Sequence, residues 1–329
     1  MNKPKIFIST FPFGIHNPEP LDLLQKTGWE ISANSLKRKL KPEEVADLAK
    51  DVDGIIAGTE DLTPLILTNS NLKIISRVGI GLDSVPLKLC KEKGIRVTYT
   101  PDAVTMAVVE LTIGLMVSLT RNVHLADKEI RSGGWSRFTG KRLGESTIGI
   151  IGAGRVGLNV IRILSEFKPR MILVNDIKDK SLELDSLLKD KGISYKLTEK
   201  EYIYKNSDIV SLHLPLSSKT KNMITKLELN MFRQDSFLIN TARGGLVNER
   251  DIYDALKEKV ISGAAFDVFE NEPYKGNLCE LDNIILTEHM GSCSYDCRLL
   301  MERGASEDII RFFTNQPLAN EVPPYEYEN

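Results

Sequence analysis

The sequence lacks most of what marks a secreted, membrane-borne or polyanion-binding chain. Cysteine is sparse. Cys90, Cys279, Cys293 and Cys297 are the whole set among 329 residues, with no CxxC pair and no disulfide-rich spacing. That excludes a disulfide framework and leaves free thiols in a reducing compartment. His289, Cys293 and Cys297 stand at four-residue steps. Gly291 and Ser292 interrupt the helix that would bring them together, so no metal is expected. An excess of one charge is also missing. The 43 Lys and Arg and 45 Asp and Glu leave a net charge of −2, with both signs interspersed. Nothing in that balance points to a nucleic-acid partner. The longest apolar stretch, Val104 to Leu119, contains Glu110 and several Thr and Ser. It is short for a membrane span. Ala107, Val108, Leu111, Leu115 and Leu119 recur at helical spacing and the opposite side is also apolar, which predicts a helix buried between domains or subunits. The start, Met1 to Ile8, lacks the long apolar core of a signal peptide. A soluble cytoplasmic protein without a membrane partner is the expectation.

What the chain does have is alternation. Through residues 4–100, short apolar runs such as Ile6–Ile8, Gly54–Ala57, Leu72–Ile75 and Arg96–Thr98 take turns with amphipathic segments such as Pro20–Thr27 and Pro42–Ala49. This predicts an α/β unit with a parallel sheet and crossover helices. There is no fixed-period repeat, and the length suits two domains.

The second unit is organised around Thr147 to Gly157. An apolar run, Ile148–Ile151, leads into Gly152-x-Gly154-x-x-Gly157, an amphipathic segment follows, and a second apolar run, Met171–Val174, ends on Asn175-Asp176. Each part has a physical reason. Gly152 makes the tight turn, Gly154 lets backbone approach a pyrophosphate, and Gly157 lets helix pack on strand. The helix N-terminus offers N–H groups and a positive dipole end to the phosphates. Asp176, 19 residues beyond Gly157, is placed to accept both hydroxyls of an adenosine ribose. A carboxylate there repels a 2′-phosphate, so NAD is expected over NADP. Lys178 and Lys180 are read as part of a solvated loop.

Ligands of open α/β sheets sit beyond the carboxyl ends of strands. Two such loops of the first unit are Ala57-Gly58-Thr59-Glu60 and Arg77-Val78-Gly79-Ile80-Gly81, the second able to offer N–H groups to a small carboxylate or simply to turn. Three strand ends of the second unit deliver Arg243, Glu272 and His289. These groups suit reduction of a 2-keto acid by hydride transfer. An arginine clamps a carboxylate and polarises a carbonyl. A histidine moves the hydroxyl proton. A carboxylate beside it stabilises the imidazolium.

On the glycine motif, His213-x-Pro215, Asn240-Thr-Ala-Arg243-Gly244, Asp267-Val-Phe-x-x-Glu272-Pro273 and His289-x-Gly291, the chain resembles the D-isomer-specific 2-hydroxyacid dehydrogenases, in their phosphoglycerate dehydrogenase-like branch. The resemblance covers nearly the whole chain. It implies two doubly wound parallel-sheet domains, with a Rossmann-type NAD domain at 102–291 inserted into a flavodoxin-like substrate domain made of 1–101 and 292–329, and the active site in the cleft. It implies that Arg243 binds substrate, His289 is the acid/base and Glu272 its partner. Arg155 and Val156 would meet the pyrophosphate. His213, Leu214 and Pro215, with Thr220, would line the adenine side. Thr241, Ala242, Asp267 and Gly291 would surround the nicotinamide, Asp267 bonding its carboxamide. Ala57, Gly58, Val78 and Gly79 would line the substrate, Val78 and Gly79 through backbone N–H groups. A homodimer is implied, with Arg137 reaching the neighbouring subunit's site. Substrate would be a small 2-keto or 2-hydroxy acid, with or without a phosphate that Arg77 and Arg137 could meet.

Three departures stand out. The residue before His289 is Glu288 rather than proline; pointing inward it would favour the imidazolium, and pointing outward it would face solvent. The loop at Ala57 lacks the arginine that longer phosphoglycerate dehydrogenases use for phosphate. The sequence ends at Asn329, so no C-terminal regulatory domain is expected. Some relatives of this superfamily are NADH-sensing corepressors, which keeps a binding protein as the second reading beside an enzyme.

Overall fold

The computed structural model describes residues 3–328. The chain divides into two units, 1–104 with 292–329, and 105–291. The first unit starts with β1 (Lys5–Ile8), α1 (Glu19–Lys26), β2 (Glu30–Ala33), α2 (Pro42–Leu48), β3 (Gly54–Ala57), α3 (Thr63–Thr68), β4 (Ile74–Arg77), α4 (Leu87–Glu92) and β5 (Arg96–Thr98). Its five strands lie in the order β2-β1-β3-β4-β5, all parallel. β3 and β4 are buried along their whole length, as parallel strands covered on both faces must be. Phe7, Ile55, Ile75 and Val97 pack there with Val45, Leu62, Leu65 and Ile66 from the helices.

The second unit contains α5 (Thr105–Thr120), α6 (Val123–Arg131), β6 (Thr147–Ile151), α7 (Arg155–Leu164), β7 (Met171–Asn175), α8 (Ser181–Leu188), β8 (Tyr195–Leu197), α9 (Lys200–Asn206), β9 (Ile209–Leu212), α10 (Lys226–Leu229), β10 (Phe237–Asn240), α11 (Glu249–Lys257), β11 (Gly263–Phe266) and β12 (Ile284–Leu286). Its seven parallel strands lie in the order β12-β11-β10-β9-β6-β7-β8. Successive strand residues serve opposite faces. Val210, Leu238 and Ala264 join one core, and Ile209, Ile239 and Ala265 the other. The chain then returns to the first unit as α12 (Tyr295–Phe313), which packs on α1 and β4.

Helix α5 is the long apolar helix read from the sequence. Val109, Ile113, Met116 and Leu119 are buried among residues of its own unit. Met106 of α5 stays exposed, and further exposed apolar side chains lie on α6 and the loop after it, at Val123, Ile130, Trp135 and Phe138. No single helix among the described residues is long and apolar enough to cross a membrane.

Candidate active site

The carboxyl end of β6 leads into the glycine turn. Gly152 has φ +95°, and a Cβ on it would come within 2.4 Å of the His213 carbonyl oxygen. At Gly157 a Cβ would lie 2.0 Å from the Gly152 carbonyl oxygen, so only glycine lets α7 pack on the turn. Gly154 is the N-cap of α7 and contributes no side-chain cap, and a Cβ on it would meet no atom within 4 Å. The start of α7, at Arg155 and Val156, thus offers backbone donors to an anion. Asp176 follows β7. Its Oδ2 accepts the Ala153 N–H at 2.7 Å and its Oδ1 the Lys178 N–H at 2.8 Å. A carboxylate has about four acceptor sites, so two hydroxyls can still be met. Lys178 is exposed, and Lys180 Nζ pairs with Glu183 at 2.9 Å.

The segment after β9 walls this turn. Leu214 packs against Gly152, and Thr220 closes the loop by donating its hydroxyl to the Pro215 carbonyl at 2.7 Å. The His213 ring points inward. Its Nε2 lies 2.9 Å from Ser211 Oγ, its Nδ1 is buried, and burial pushes its pKa down to about 4. The residue expected to line a ligand therefore uses its backbone against Gly152 and its ring as a neutral core group. A stability consequence follows. In the unfolded chain a histidine titrates near 6.5, so the folded form binds fewer protons between pH 6.5 and about 4. His213's contribution is full above pH 6.5 and is lost as pH falls toward 4, by up to about 3 kcal/mol. Denaturant midpoints of parent and His213→Gln, taken across that range, should diverge, the variant losing less on acidification. Equal slopes would count against this burial effect.

Arg243, Glu272 and His289 stand beyond the carboxyl ends of β10, β11 and β12. Arg243 sits in a turn organised by Asn240, whose Nδ2 donates to the Arg243 carbonyl at 2.9 Å and whose Oδ1 accepts the Ala242 N–H at 3.1 Å. The Arg243 Nη1 donates to the Ala242 carbonyl at 2.7 Å. Thr241 is buried and shares a 2.8 Å hydrogen bond with Thr112 of α5. His289 Nδ1 lies 2.8 Å from Glu272 Oε2, and Glu272 Oε1 accepts the Phe269 N–H at 3.1 Å. The carboxylate takes Nδ1, which leaves Nε2 to exchange a proton with a ligand. His289 has φ +52°. Its turn is held by Asp267, 1% exposed, which accepts Thr287 Oγ1 at 2.6 Å and the Met290 N–H at 2.8 Å on one oxygen, and the Gly291 N–H at 2.9 Å on the other. The sequence reading assigns Asp267 to the nicotinamide carboxamide; in the structure its oxygens accept three donors of the His289 turn, one fewer than the about four a carboxylate can accept. Gly291 likewise packs under Asp267 and Val108, where a Cβ would be 3.1 and 3.2 Å from their atoms. Glu288 is exposed, the outward of its two alternatives.

In the first unit the expected substrate loops are engaged with themselves. The Val78 N–H donates to the Ala57 carbonyl at 2.9 Å and the Gly79 N–H to Thr100 Oγ1 at 2.8 Å. Both donors expected to meet a carboxylate are thus taken. Arg77 is 7% exposed and its Nη1 turns back onto the Val78 carbonyl, which departs from an open phosphate ligand. The Gly58 N–H donates at 2.8 Å to Glu60, a carboxylate only 2% exposed. Arg137, in the second unit, is exposed. Among the described residues no group of three His, Cys, Asp or Glu could hold a metal ion.

Residues 113–291 match the family profile described as D-isomer specific 2-hydroxyacid dehydrogenase, NAD binding domain. The whole-chain relatives agree. A glyoxylate reductase of Thermofilum pendens is 33% identical, over 98% of this chain and 94% of that protein. This chain belongs to the D-isomer-specific 2-hydroxyacid dehydrogenases. A D-3-phosphoglycerate dehydrogenase of Methanocaldococcus jannaschii is also 33% identical, over 89% of this chain but 56% of that longer protein. Among solved structures, TT0316 of Thermus thermophilus superposes with a TM-score of 0.86 at 27% identity, covering 97% of this chain and all of that one. An NADPH-dependent glyoxylate/hydroxypyruvate reductase of Sinorhizobium meliloti gives 0.81 at 27% identity, covering 98% and 97%.

For this dehydrogenase the cofactor is NAD, and the residues fit it. The glycine cradle and the start of α7 follow β6, and Asp176 follows the neighbouring β7, its carboxylate held by the Ala153 and Lys178 backbone N–H groups. Sequence reasoning named these, and Asn240 within its motif, but not the side chains that hold the Arg243, Asp267 and Glu270 turns. Thr112, Thr287 and Glu249 carry no charge pattern or motif spacing that separates a turn-holding group from a solvated one; only their hydrogen bonds do.

Proposed function

We propose that this enzyme reduces a small unphosphorylated 2-keto acid, glyoxylate or hydroxypyruvate, with NADH, and reverses the reaction on the corresponding D-2-hydroxy acid. The observation that carries the reading is the 2.8 Å Glu272–His289 pair, in the same unit as the glycine cradle. NAD when bound supplies or accepts the hydride. Arg243 then binds the substrate carboxylate and polarises its carbonyl. His289 gives its Nε2 proton to the oxygen as the carbonyl becomes an alcohol, and takes it back in the reverse direction. Glu272 keeps the imidazole oriented and balances its charge. Thr241 and Ala242 border the reacting ring, and Val78 and Gly79 border the substrate after some local rearrangement of their N–H bonds.

Against a phosphorylated substrate stand the loops after β3 and β4. They carry Glu60, Asp61 and Asp83 and neither lysine nor arginine between 58 and 62 or between 78 and 86. A phosphate beyond those strand ends would face these carboxylates, with Arg77, the last residue of β4, turned onto the Val78 carbonyl. The test is a panel of 2-keto acids, each with NADH and with NADPH, followed by absorbance. Glyoxylate or hydroxypyruvate with NADH should give the highest kcat/KM. A 3-phosphohydroxypyruvate optimum would overturn the substrate, and would bring back Arg137 as its phosphate ligand. Equal rates with NADPH would overturn the role of Asp176. No reduction of any acid would favour an NADH-sensing binding protein.

The enzyme is further proposed to be a cytoplasmic homodimer. Val123 and Ile130, both at least half exposed on α6, and Trp135, 77% exposed beyond it, form apolar surface that a second copy would cover. Light scattering at micromolar concentration should return twice the 36.8 kDa chain mass; the mass of one chain would contradict the dimer.

A further inference from the structure

Two successive backbone amides lie between the catalytic loops. The Phe269 N–H donates to Glu272, and the next, Glu270 N–H, donates to Glu249 Oε1 at 2.7 Å. Glu249 is not in that loop. It opens α11, directly after the turn that bears Arg243. The two loops also touch through backbone. A Cβ on Gly244 would lie 2.0 Å from the Phe269 carbonyl oxygen and 2.7 Å from the Glu270 nitrogen, so nothing but glycine allows the approach. On the far side, Phe269 stacks on Tyr274 with ring centroids 4.2 Å apart. The Phe269–Glu270 peptide is therefore clamped by Glu249 on its N–H and a glycine against its carbonyl, the preceding peptide N–H is held by Glu272, and the Phe269 ring is held by an aromatic stack. Of these only Glu249 links the Arg243 side to the Glu272 side by a side chain.

We infer that Glu249 is a positioning residue for the reaction, holding the Glu272 loop in register with the Arg243 turn. The reading rests on Glu272 and His289 being the acid/base pair. Glu249 touches neither substrate nor cofactor. It fixes the peptide whose neighbour fixes Glu272, and Glu272 in turn fixes His289. Being in the first turn of α11, its carboxylate is favourably placed toward the helix N-terminus. Burial, with the nearby Glu270 and Glu272 carboxylates, holds its carboxyl above the ordinary range. What the clamp needs from it is an acceptor oxygen, and a neutral carboxamide supplies one equally well.

The experiment uses the full-length enzyme with NADH and its best keto acid. Glu249→Ala should lower kcat roughly tenfold, less than the 10²-fold that a 1 Å displacement can cost, with NADH affinity unchanged. Glu249→Gln should restore at least half the parent kcat. In a Glu272→Gln background the Glu249→Ala change should cost less than twofold further, because the group it positions is gone. Three outcomes overturn the inference: parental kcat in Glu249→Ala, no rescue by Gln, or losses that simply add in the double variant. If Glu249→Ala does not fold, Glu249→Met, which fills similar space without an acceptor oxygen, takes its place in the single and double variants. Parental activity in Glu272→Gln alone would sink the acid/base reading instead, which separates the two failures.

Discussion

His289→Asn should bind NADH as the parent does and lose about 10²–10⁴ in kcat, the usual worth of a positioned general acid. The backbone explains the choice of asparagine. His289 has φ +52°, in the left-handed region, and asparagine is among the residues that enter it most readily. Alanine there would add backbone strain to the loss of the imidazole and blur the reading. Asparagine also keeps a polar group within reach of Glu272, now 2.8 Å from Nδ1. What it cannot do is pass a proton at neutral pH. Single-turnover absorbance changes, with NADH affinity from fluorescence titration, separate the two. A variant reducing keto acids at the parent rate would mean that another group is the acid.

The alternation of apolar runs made both sheets legible, because buried parallel strands must be apolar on both faces. Gly54–Ala57 and Arg96–Thr98 coincide with β3 and β5. Less legible was α6. Its Val123 and Ile130 are separated by charged residues and none of its side chains is buried, so it has no core stripe to read. The short β8 escaped for a related reason, since Tyr195–Leu197 is only partly buried at a sheet edge. α5 was legible as a helix, and its Val109, Ile113, Met116 and Leu119 side is covered by its own unit; apolarity all round says that a helix is covered, not by what.

The site shows the same limit at the level of single atoms. Spacing picked out Gly152 and Gly157 because their requirement is for absence of a side chain, and that requirement is visible in the sequence. It could not tell that the His213 ring turns inward or that Arg77 folds onto Val78. Side-chain direction at a strand end is set by the turn that follows, and several turns satisfy one motif. Asp267 is the sharpest instance, since its place in the Asp267-Val-Phe-x-x-Glu272-Pro273 motif does not show that it holds Thr287, Met290 and Gly291.

Asp267→Asn should therefore damage catalysis through His289 rather than through cofactor binding. The carboxylate is buried and accepts three donors, two on Oδ1 and one on Oδ2. Asparagine has one acceptor oxygen and one NH₂. Whichever way the amide turns, NH₂ faces a donor. It meets the Gly291 N–H in one orientation, and Thr287 Oγ1 and the Met290 N–H in the other. Replacing an accepted hydrogen bond to a charged group by a donor–donor contact costs roughly 1.5–3 kcal/mol. Urea unfolding should show a loss of about that size. The turn that keeps His289 left-handed loosens with it, and a displacement near 1 Å at an acid/base group lowers kcat by about 10²-fold. NADH affinity should stay within a few-fold of the parent, because the glycine cradle and Asp176 are untouched. If the variant kept its stability and lost NADH affinity in proportion to kcat, Asp267 would be a cofactor ligand first and the His289 turn would stand without it.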